Sequence, residues 1–195
     1  MASVDRIDED IFTIDGLFSP EECAALIRRG EQIGYEAATV RTAGGPKMMT
    51  NVRNNDRAIF RDVGFADDLW ARVAPYVPPV LDGARATGLY PEFRFYRYDP
   101  GQRFKRHVDG AVETPAGERS KLTLLVYLND GYAGGDTVFS DYEYQEGGVI
   151  VHEQRITPKL GLVLIFRHER RHEGEALVEG RKYVLRTDVL FEARS

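Results

Sequence analysis

The chain has 195 residues, of which 43% are hydrophobic, a length at which one domain can bury a substantial core and little chain is left for a second. Its formal net charge is −5 and 29% of its residues are charged, so the chain has no overall attraction to phosphate backbones and we expect no nucleic-acid partner. The single cysteine, Cys23, excludes an internal disulfide, and the amino-terminal residues lack the apolar run of a secretory signal, so we expect a cytoplasmic protein.

The first predicted element is a helix that begins after Ser19. Ser19 supplies a hydroxyl N-cap, Pro20 takes the first helical position and Glu22 the third, a combination that satisfies the free amides of a helix start. Apolar residues follow at helical spacing, and Gly34 can close the helix.

The segment from Ala38 to Arg57 comes next and has little apolar periodicity. A loop of about twenty residues in a compact domain is often a lid or a binding loop. Its basic side chains outnumber its one acidic side chain, Asp56, and they are Arg41, Lys47, Arg53 and Arg57. We therefore predict contact with an anionic group of a substrate, with Arg53, Asn55 and Arg57 as candidate residues. The alternative is a solvated basic loop.

A second helix is predicted over residues 67–76, with Leu69, Trp70 and Val73 facing inward. The Pro78-Pro79 pair stops its continuation. Both predicted helices therefore lie in the first part of the chain.

From Phe93 onward the hydrophobic period changes to two, which is typical of strands. The pattern is carried by Phe93 and Phe95 and again by Leu122, Leu124, Val126 and Leu128. Further strand-like runs cover residues 148–153, 160–166 and 182–191, separated by turns rich in Gly, Asp and Pro. These runs are far too short to span a bilayer, so we expect no membrane partner.

Helices followed by about eight short strands predict an α+β fold with a double-stranded β-helix, or jelly-roll, core. We expect the amino-terminal helices to pack on one face of that core. Residues 1–195 would form a single domain, with helical support over about 1–90 and the jelly roll over about 91–195.

A possible metal site begins at His107 and Asp109, two residues apart. An extended strand directs residues i and i+2 to one face, so both side chains could reach one ion. Two histidines and one carboxylate leave coordination positions open for a co-substrate and oxygen. The third ligand could be His152, His168 or His172. The alternative is a surface strand with a solvated histidine and aspartate.

Three other motifs accompany this pair. They are Phe93-Arg-Phe-Tyr-Arg-Tyr98 upstream, and Gly134-Gly-Asp-Thr137-Val-Phe139 and His172-Glu-Gly174-Glu-Ala-Leu-Val178-Glu-Gly180-Arg-Lys182 downstream. In this order they resemble the prolyl 4-hydroxylase-type branch of the 2-oxoglutarate/iron(II) dioxygenases, over roughly residues 93–191. The resemblance covers about half of the chain.

The resemblance implies a role for each matching residue. His107, Asp109 and His172 would hold the metal and carry catalysis, and Lys182 would anchor the distal carboxylate of 2-oxoglutarate. Tyr98 and Thr137 would form hydrogen bonds to the same co-substrate. Arg186 shares a predicted strand face with Lys182 and is the alternative anchor. His168 would lie behind the ligands or on the surface.

The resemblance also implies the reaction, which is a hydroxylation that uses Fe(II), 2-oxoglutarate and O2, with ascorbate as a candidate accessory reductant. The family's protein-hydroxylating members carry an aromatic residue close to the position of Asp188 and an arginine close to that of Ser120, and we interpret this sequence as departing from both patterns. We therefore expect a small-molecule substrate such as a free amino acid or a related metabolite, with an anionic group. The nearest alternative is a prolyl-type protein hydroxylase, and the distant one is a non-enzymatic jelly-roll binding module. The sequence leaves the oligomeric state open.

Overall fold

The computed structural model describes residues 2–42, 45–47, 49, 51–146 and 148–193. In the first half of the chain it has β1 (Ser3–Arg6), β2 (Ile11–Asp15), α1 (Pro20–Ile33), β3 (Glu36–Ala37), β4 (Val40–Thr42), β5 (Gly45–Lys47), β6 (Asp56–Arg61), α2 (Val63–Val73), a 3₁₀ helix (Ala74–Tyr76), β7 (Val80–Leu81), β8 (Ala84–Leu89) and β9 (Glu92–Tyr98). The second half has β10 (Phe104–His107), β11 (Arg119–Tyr127), β12 (Ala133–Gly134), β13 (Thr137–Gln145), β14 (Gly148–Ile156), β15 (Val163–Arg167), β16 (His172–Gly174), β17 (Leu177–Glu179) and β18 (Lys182–Phe191).

Two antiparallel sheets form the body of the fold. The major sheet has the order β1-β2-β15-β11-β18-β9-β6-β3, and β8 joins it through β18. The minor sheet has the order β10-β16-β13-β14. The chain is thus mostly β-sheet with few helices, as expected for a jelly roll.

The first helix was predicted correctly at both ends. Ser19 and Glu22 form a reciprocal capping box, and Gly34 is the C-cap, with φ +88°. These signals are local in the sequence, so they need no tertiary contact to act. No helix in the described part of the chain is long and apolar enough to cross a membrane.

The prediction that the second helix begins at residue 67 was wrong. Helix α2 begins at Val63 because Asp62 caps it, and the Asp62 carboxylate accepts a hydrogen bond of 3.0 Å from the Phe65 amide. This cap precedes the apolar periodicity on which the prediction relied. The 3₁₀ helix then carries the segment to Tyr76, as predicted.

The first 90 residues contain β1–β8 beside the helices, which differs from the purely helical support expected there. Strand β2 is buried along Ile11–Ile14 and pairs with β15 in the major sheet. Its partner lies about 150 residues later in the sequence, so no local signal announces the pairing. Residues 38–57 likewise include the β4–β5 hairpin and are not one loop.

Both faces of the major sheet are buried. On the outer face, Phe93, Phe95, Leu122 and Leu124 form one apolar cluster with residues of α1 and α2, among them Cys23, Leu26, Ala66, Leu69 and Val73. On the inner face, Tyr96, Tyr98 and Tyr127 belong to a second cluster that reaches the minor sheet. Successive residues of these strands therefore belong to different apolar clusters. The residues of the inner face line the space between the two sheets.

Candidate active site

The minor sheet brings two histidines side by side. His107 is the last residue of β10 and His172 the first of β16, and the two are register partners. Asp109 follows β10, so it lies just beyond the strand that was expected to carry it, and its backbone amide donates to the His168 carbonyl. The potential ligand atoms of His107, Asp109 and His172 all lie within 4.8 Å of one another. The three residues singled out by the sequence thus converge, whereas His152 is exposed elsewhere.

Both imidazoles turn the same nitrogen toward the carboxylate. His107 Nδ1 lies 2.7 Å from the Lys105 carbonyl and His172 Nδ1 lies 2.9 Å from the Arg170 carbonyl. A carbonyl only accepts hydrogen bonds, so each Nδ1 carries the proton and each Nε2 has a free lone pair. Each Nε2 is 3.7 Å from one oxygen of Asp109. This orientation of ring and tautomer is the one that metal-binding histidines need.

The protonation states suit a metal as well. Burial lowers the pKa of His107 to about 3 and also lowers the pKa of His172, so both rings are neutral at pH 7. Burial alone would raise the pKa of Asp109, but the Arg186 guanidinium and the hydrogen bond from Thr123 hold it well below its usual range. Neutral imidazoles and an ionised carboxylate are the forms that bind divalent iron, so the three side chains fit the ion.

A chain of hydrogen bonds holds Asp109 from behind. Thr123 Oγ1 is 2.6 Å from Asp109 Oδ2 and 2.9 Å from His168 Nδ1, and His168 Nε2 is 2.8 Å from Ser120 Oγ. The carboxylate can only accept, so Thr123 donates to Asp109 and accepts from His168, which in turn accepts from Ser120. Only one tautomer of His168 satisfies all three contacts. His168 is buried, and it acts behind the ligands rather than on the surface.

Arg186 engages the other oxygen of Asp109. Its Nη1 is 2.6 Å from Asp109 Oδ1, and its Nη2 is 3.2 Å from Asp188 Oδ1. All three side chains are buried, so this is an ion-pair network in a region of low dielectric. The sequence placed Arg186 on the correct strand face but gave no sign of its contact with Asp109, because the contact joins residues 77 positions apart.

Lys182 lies on the inner face of the major sheet, away from the metal residues. It pairs with Tyr98 across β18 and β9, and its Nζ donates to the Gly135 carbonyl at 2.5 Å. Burial lowers the pKa of Lys182 to about 8. Gly135 has φ +75°, and a Cβ there would lie 3.3 Å from the Lys182 side chain. The positive φ favours glycine at this position, and a Cβ would also crowd the Lys182 side chain.

One cavity is lined both by the metal residues and by Lys182. The predicted co-substrate residues Tyr98 and Thr137 line it, and so does Arg186. Tyr127 also lines it and forms a 2.7 Å hydrogen bond with Thr137. Sequence reasoning missed Tyr127, since period two alone does not reveal that its face of β11 is buried.

Two of the predicted substrate residues are buried beside the cavity and not solvated. Arg53 is 5% exposed and Asn55 is fully buried, and Arg53 Nε donates to Asn55 Oδ1 at 2.6 Å. The Arg53 guanidinium lies over the rings of Tyr96 and Phe104, with 4.2 and 4.4 Å to their centroids. Arg57 donates to Thr39 Oγ1 at 3.3 Å. The side chains of Arg41 and Lys47 lie outside the described residues.

Comparison with known proteins agrees with this geometry. Residues 93–187 match the model of the 2OG-Fe(II) oxygenase superfamily. A PKHD-type hydroxylase of Methylobacterium nodulans is 30% identical over 138 residues, which cover 66% of this chain and 58% of that protein. The chain thus spans less than two thirds of this relative.

Solved structures share the fold. A viral collagen prolyl hydroxylase from Paramecium Bursaria Chlorella virus-1, in its 2OG complex, superposes with a TM-score of 0.62 at 20% identity, covering 93% of this chain and 96% of that one. A prolyl hydroxylase from Trichoplax adhaerens, in complex with a hypoxia inducible factor peptide fragment, gives a TM-score of 0.64 at 17% identity, with 92% and 83% covered.

Proposed function

We propose that this chain is a 2OG-Fe(II) oxygenase of the prolyl 4-hydroxylase type, as the superfamily match over residues 93–187 supports, and that it hydroxylates an unactivated C–H bond while 2-oxoglutarate is converted to succinate and CO2. The observation that carries the proposal is the convergence of His107, Asp109 and His172 in one cavity with a buried lysine. Fe(II) bound there would supply the redox chemistry with O2 that attack on such a bond requires.

We assign the metal to His107, Asp109 and His172, whose ligand atoms lie within 4.8 Å of one another and which all line the cavity. The protein's own contribution is to keep both Nε2 atoms unprotonated and to fix the carboxylate through Thr123 and Arg186. A fixed ligand set of this kind avoids reorganisation when the co-substrate binds.

Lys182 is the proposed anchor for the distal carboxylate of 2-oxoglutarate, with Tyr98 and Thr137 as further hydrogen-bond partners. Arg186 is less suited because Asp109 and Asp188 already engage both of its Nη atoms. Burying a dicarboxylate is costly unless a cation meets it, and a bound carboxylate would in turn raise the pKa of Lys182 toward its ordinary value.

The leading candidate substrate is a small molecule such as a free amino acid or a related metabolite. Ser120 and Asp188 stand where the family's protein-hydroxylating members carry an arginine and an aromatic residue, and here both are 1% exposed. Their side chains serve the network behind Asp109, so they are not available to a peptide.

A prolyl residue in a polypeptide is the second candidate, and the similar proteins favour it. The relative and the two solved structures described above are named as a PKHD-type hydroxylase and as prolyl hydroxylases. Their activity applies to this chain only as a hypothesis, since the chain spans part of the curated relatives and is distant from the solved ones.

The fold suggests two further proposals. We infer that residues 1–195 act as one domain and that α1 and α2 support the outer face of the major sheet, which is supported by the shared apolar cluster. The cytoplasmic location stays a prediction.

The test is an anaerobic titration with Fe(II) and 2-oxoglutarate, followed by succinate detection in air with amino acids, related metabolites and proline-rich peptides. We expect the weak visible absorption of the iron chelate, its loss in His172→Ala, and its retention in the control His152→Ala, whose ring is exposed and paired with Glu143. Folded protein that gives neither absorption nor succinate would contradict the proposal and favour a binding module.

A further inference from the structure

The inner face of the major sheet has two cationic ends. Lys182 and Tyr98 are register partners at one end, and Arg186 and Arg94 are partners four residues further along β18 and β9. At a rise of about 3.3 Å per residue, the two ends are about 13 Å apart. Lys182, at the first end, is enough to bind the distal carboxylate of 2-oxoglutarate. The positive charge at the second end therefore needs a separate explanation.

Arg53 adds to the second end from a neighbouring segment. Its backbone forms an isolated bridge with Phe104, and its guanidinium lies between Phe104 and Tyr96, two residues that line the cavity. Arg53 Nε donates a hydrogen bond to Asn55 Oδ1, whereas Arg53 Nη2 is buried and has no hydrogen-bond partner among the described residues. An unpaired buried donor of this kind is costly, and a ligand that accepts from it would remove the cost.

The ring of Tyr96 shows how strongly positive this region is. Burial alone would raise the pKa of its hydroxyl, yet the nearby guanidinium groups of Arg53, Arg186 and Arg94 lower it to about 8. The Tyr96 side chain lines the cavity, so the positive potential reaches the space above the metal residues.

The charges of this cluster do not balance within the described residues. Four guanidinium groups meet here, from Arg53, Arg57, Arg94 and Arg186. Three carboxylates oppose them, from Glu92, Asp109 and Asp188, and all three contact Arg94 or Arg186. The four guanidinium groups therefore exceed the three carboxylates by one positive charge, and neither Arg53 nor Arg57 has an ion-pair partner in the described part of the chain.

We propose that this second cationic end binds the carboxylate of a small acidic substrate and that Arg53 determines the specificity for it. The inference rests on the proposed function and names the substrate class of the same cavity. Phe104 stacks on His107, with 3.5 Å between ring centroids, so a carboxylate held at Arg53 brings the adjoining carbon atoms toward the metal residues. A free carboxylate distinguishes an amino acid from a residue inside a polypeptide, where that group is an amide.

The first experiment compares matched ligands on the wild-type protein. L-proline, L-leucine and L-lysine are each titrated against their carboxamides by calorimetry, using metal-free protein and protein loaded anaerobically with Fe(II) and 2-oxoglutarate. We expect at least one acid to bind about 100-fold more tightly than its amide, because the amide leaves a buried guanidinium unpaired. Blocked peptides with Pro-Asp or Pro-Ala sequences test whether an acidic side chain in a polypeptide supplies the carboxylate instead.

The second experiment tests the residue. Arg53→Gln should weaken binding of the preferred acid at least about tenfold and bring the ratio of acid to amide affinity toward one. Arg53→Lys should retain part of the preference for the acid. Arg28→Gln is the matched control, since Arg28 is exposed on α1, away from the cavity. Thermal unfolding of each variant verifies that it is folded, and the wild-type ligand pairs do not depend on any variant.

The outcomes separate this inference from the proposed function. If succinate forms but acids and amides bind alike, or if a Pro-Asp peptide is preferred over every free acid, the inference is wrong and the proposed function stands. A loss of 2-oxoglutarate affinity in Arg53→Gln would also overturn it, because the second end would then hold the co-substrate. If the acid binds through Arg53 and no succinate forms with any compound, the site stands and the proposed function fails.

Discussion

Replacing Thr123 by valine tests whether the hydrogen-bond chain behind Asp109 prepares the metal site. The substitution keeps the shape of a fully buried side chain but removes the hydroxyl that donates to Asp109 at 2.6 Å and accepts from His168 at 2.9 Å. Asp109 then keeps only Arg186 as a partner, and the His168 Nδ1 proton has none within this chain of hydrogen bonds. The orientation of the carboxylate should loosen as a result.

The expected magnitude follows from the two hydrogen bonds that valine cannot form. A hydrogen bond to a charged group contributes about 1.5–3 kcal/mol and a buried unpaired donor costs about 1–3 kcal/mol, so the unfolding free energy should fall by about 3–5 kcal/mol. For a domain of this size that corresponds to a lower Tm by about 10 °C. Loss of a group that orients a ligand typically weakens metal binding by about 10–100-fold.

The assay is an anaerobic Fe(II) titration that follows the 2-oxoglutarate chelate, alongside urea unfolding of metal-free protein. Thr187→Val is the matched control, because Thr187 is equally buried and donates to the Tyr90 carbonyl at 2.6 Å on the opposite face of β18. It should lose stability without losing iron affinity. If Thr123→Val binds iron within about twofold of wild type, the proposed preparation of the site is wrong.

Three further variants test other parts of the structure. Lys182→Met should stabilise ligand-free protein at pH 7, because burial lowers the pKa of Lys182 from 10.5 to about 8 and the desolvated ammonium costs on the order of 3 kcal/mol. Between pH 8 and 10.5 the unfolded chain keeps the Lys182 proton and the folded protein does not, so the stability gained in Lys182→Met should shrink as the pH rises through this range. Urea unfolding at pH 7 and 10 measures the gain, and an equal gain at both pH values would show that desolvation of the ammonium is not its cause. Arg186→Gln should lower the unfolding free energy by about 3–5 kcal/mol, because Asp109 loses its cation and Asp188 keeps only Arg94, at 3.9 Å. A double variant that adds Asp188→Asn should recover part of the loss, and equal stability of Arg186→Gln and wild type would show that the network is neutral. Ser19→Ala should cost about 1 kcal/mol in the same assay through loss of the α1 cap, and a change near zero would mean that this end of the helix frays.

The parts of the fold that the sequence predicted are those with local signals. The α1 boundaries follow from the capping box and Gly34, and β18 spans residues 182–191, the bounds of the strand-like run in the sequence. The start of α2 was missed because its cap, Asp62, precedes the periodic residues. Strand β2 could not be predicted from neighbours in the sequence, since its burial depends on β15.

The candidate site divides in the same way. A spacing motif brings His107 and Asp109 together, and the resemblance to a known family selected His172 and Lys182. The contacts of Arg186 with Asp109, and of Thr123 with His168, join residues from different parts of the sheets. Such contacts depend on register and sheet order, which a single sequence does not reveal.

Strand β11 has a different environment on each side. Leu122 and Leu124 belong to the apolar cluster of the helices, while Thr123 and Leu125 face the interior, and the strand is paired along both edges with β15 and β18. Inserting or deleting one residue would exchange the two sides, sending leucine into the polar network and threonine among the helices. We therefore expect homologues to differ in this strand by replacements at constant length, and length variation to accumulate in the connection before it, between Asp109 and Arg119.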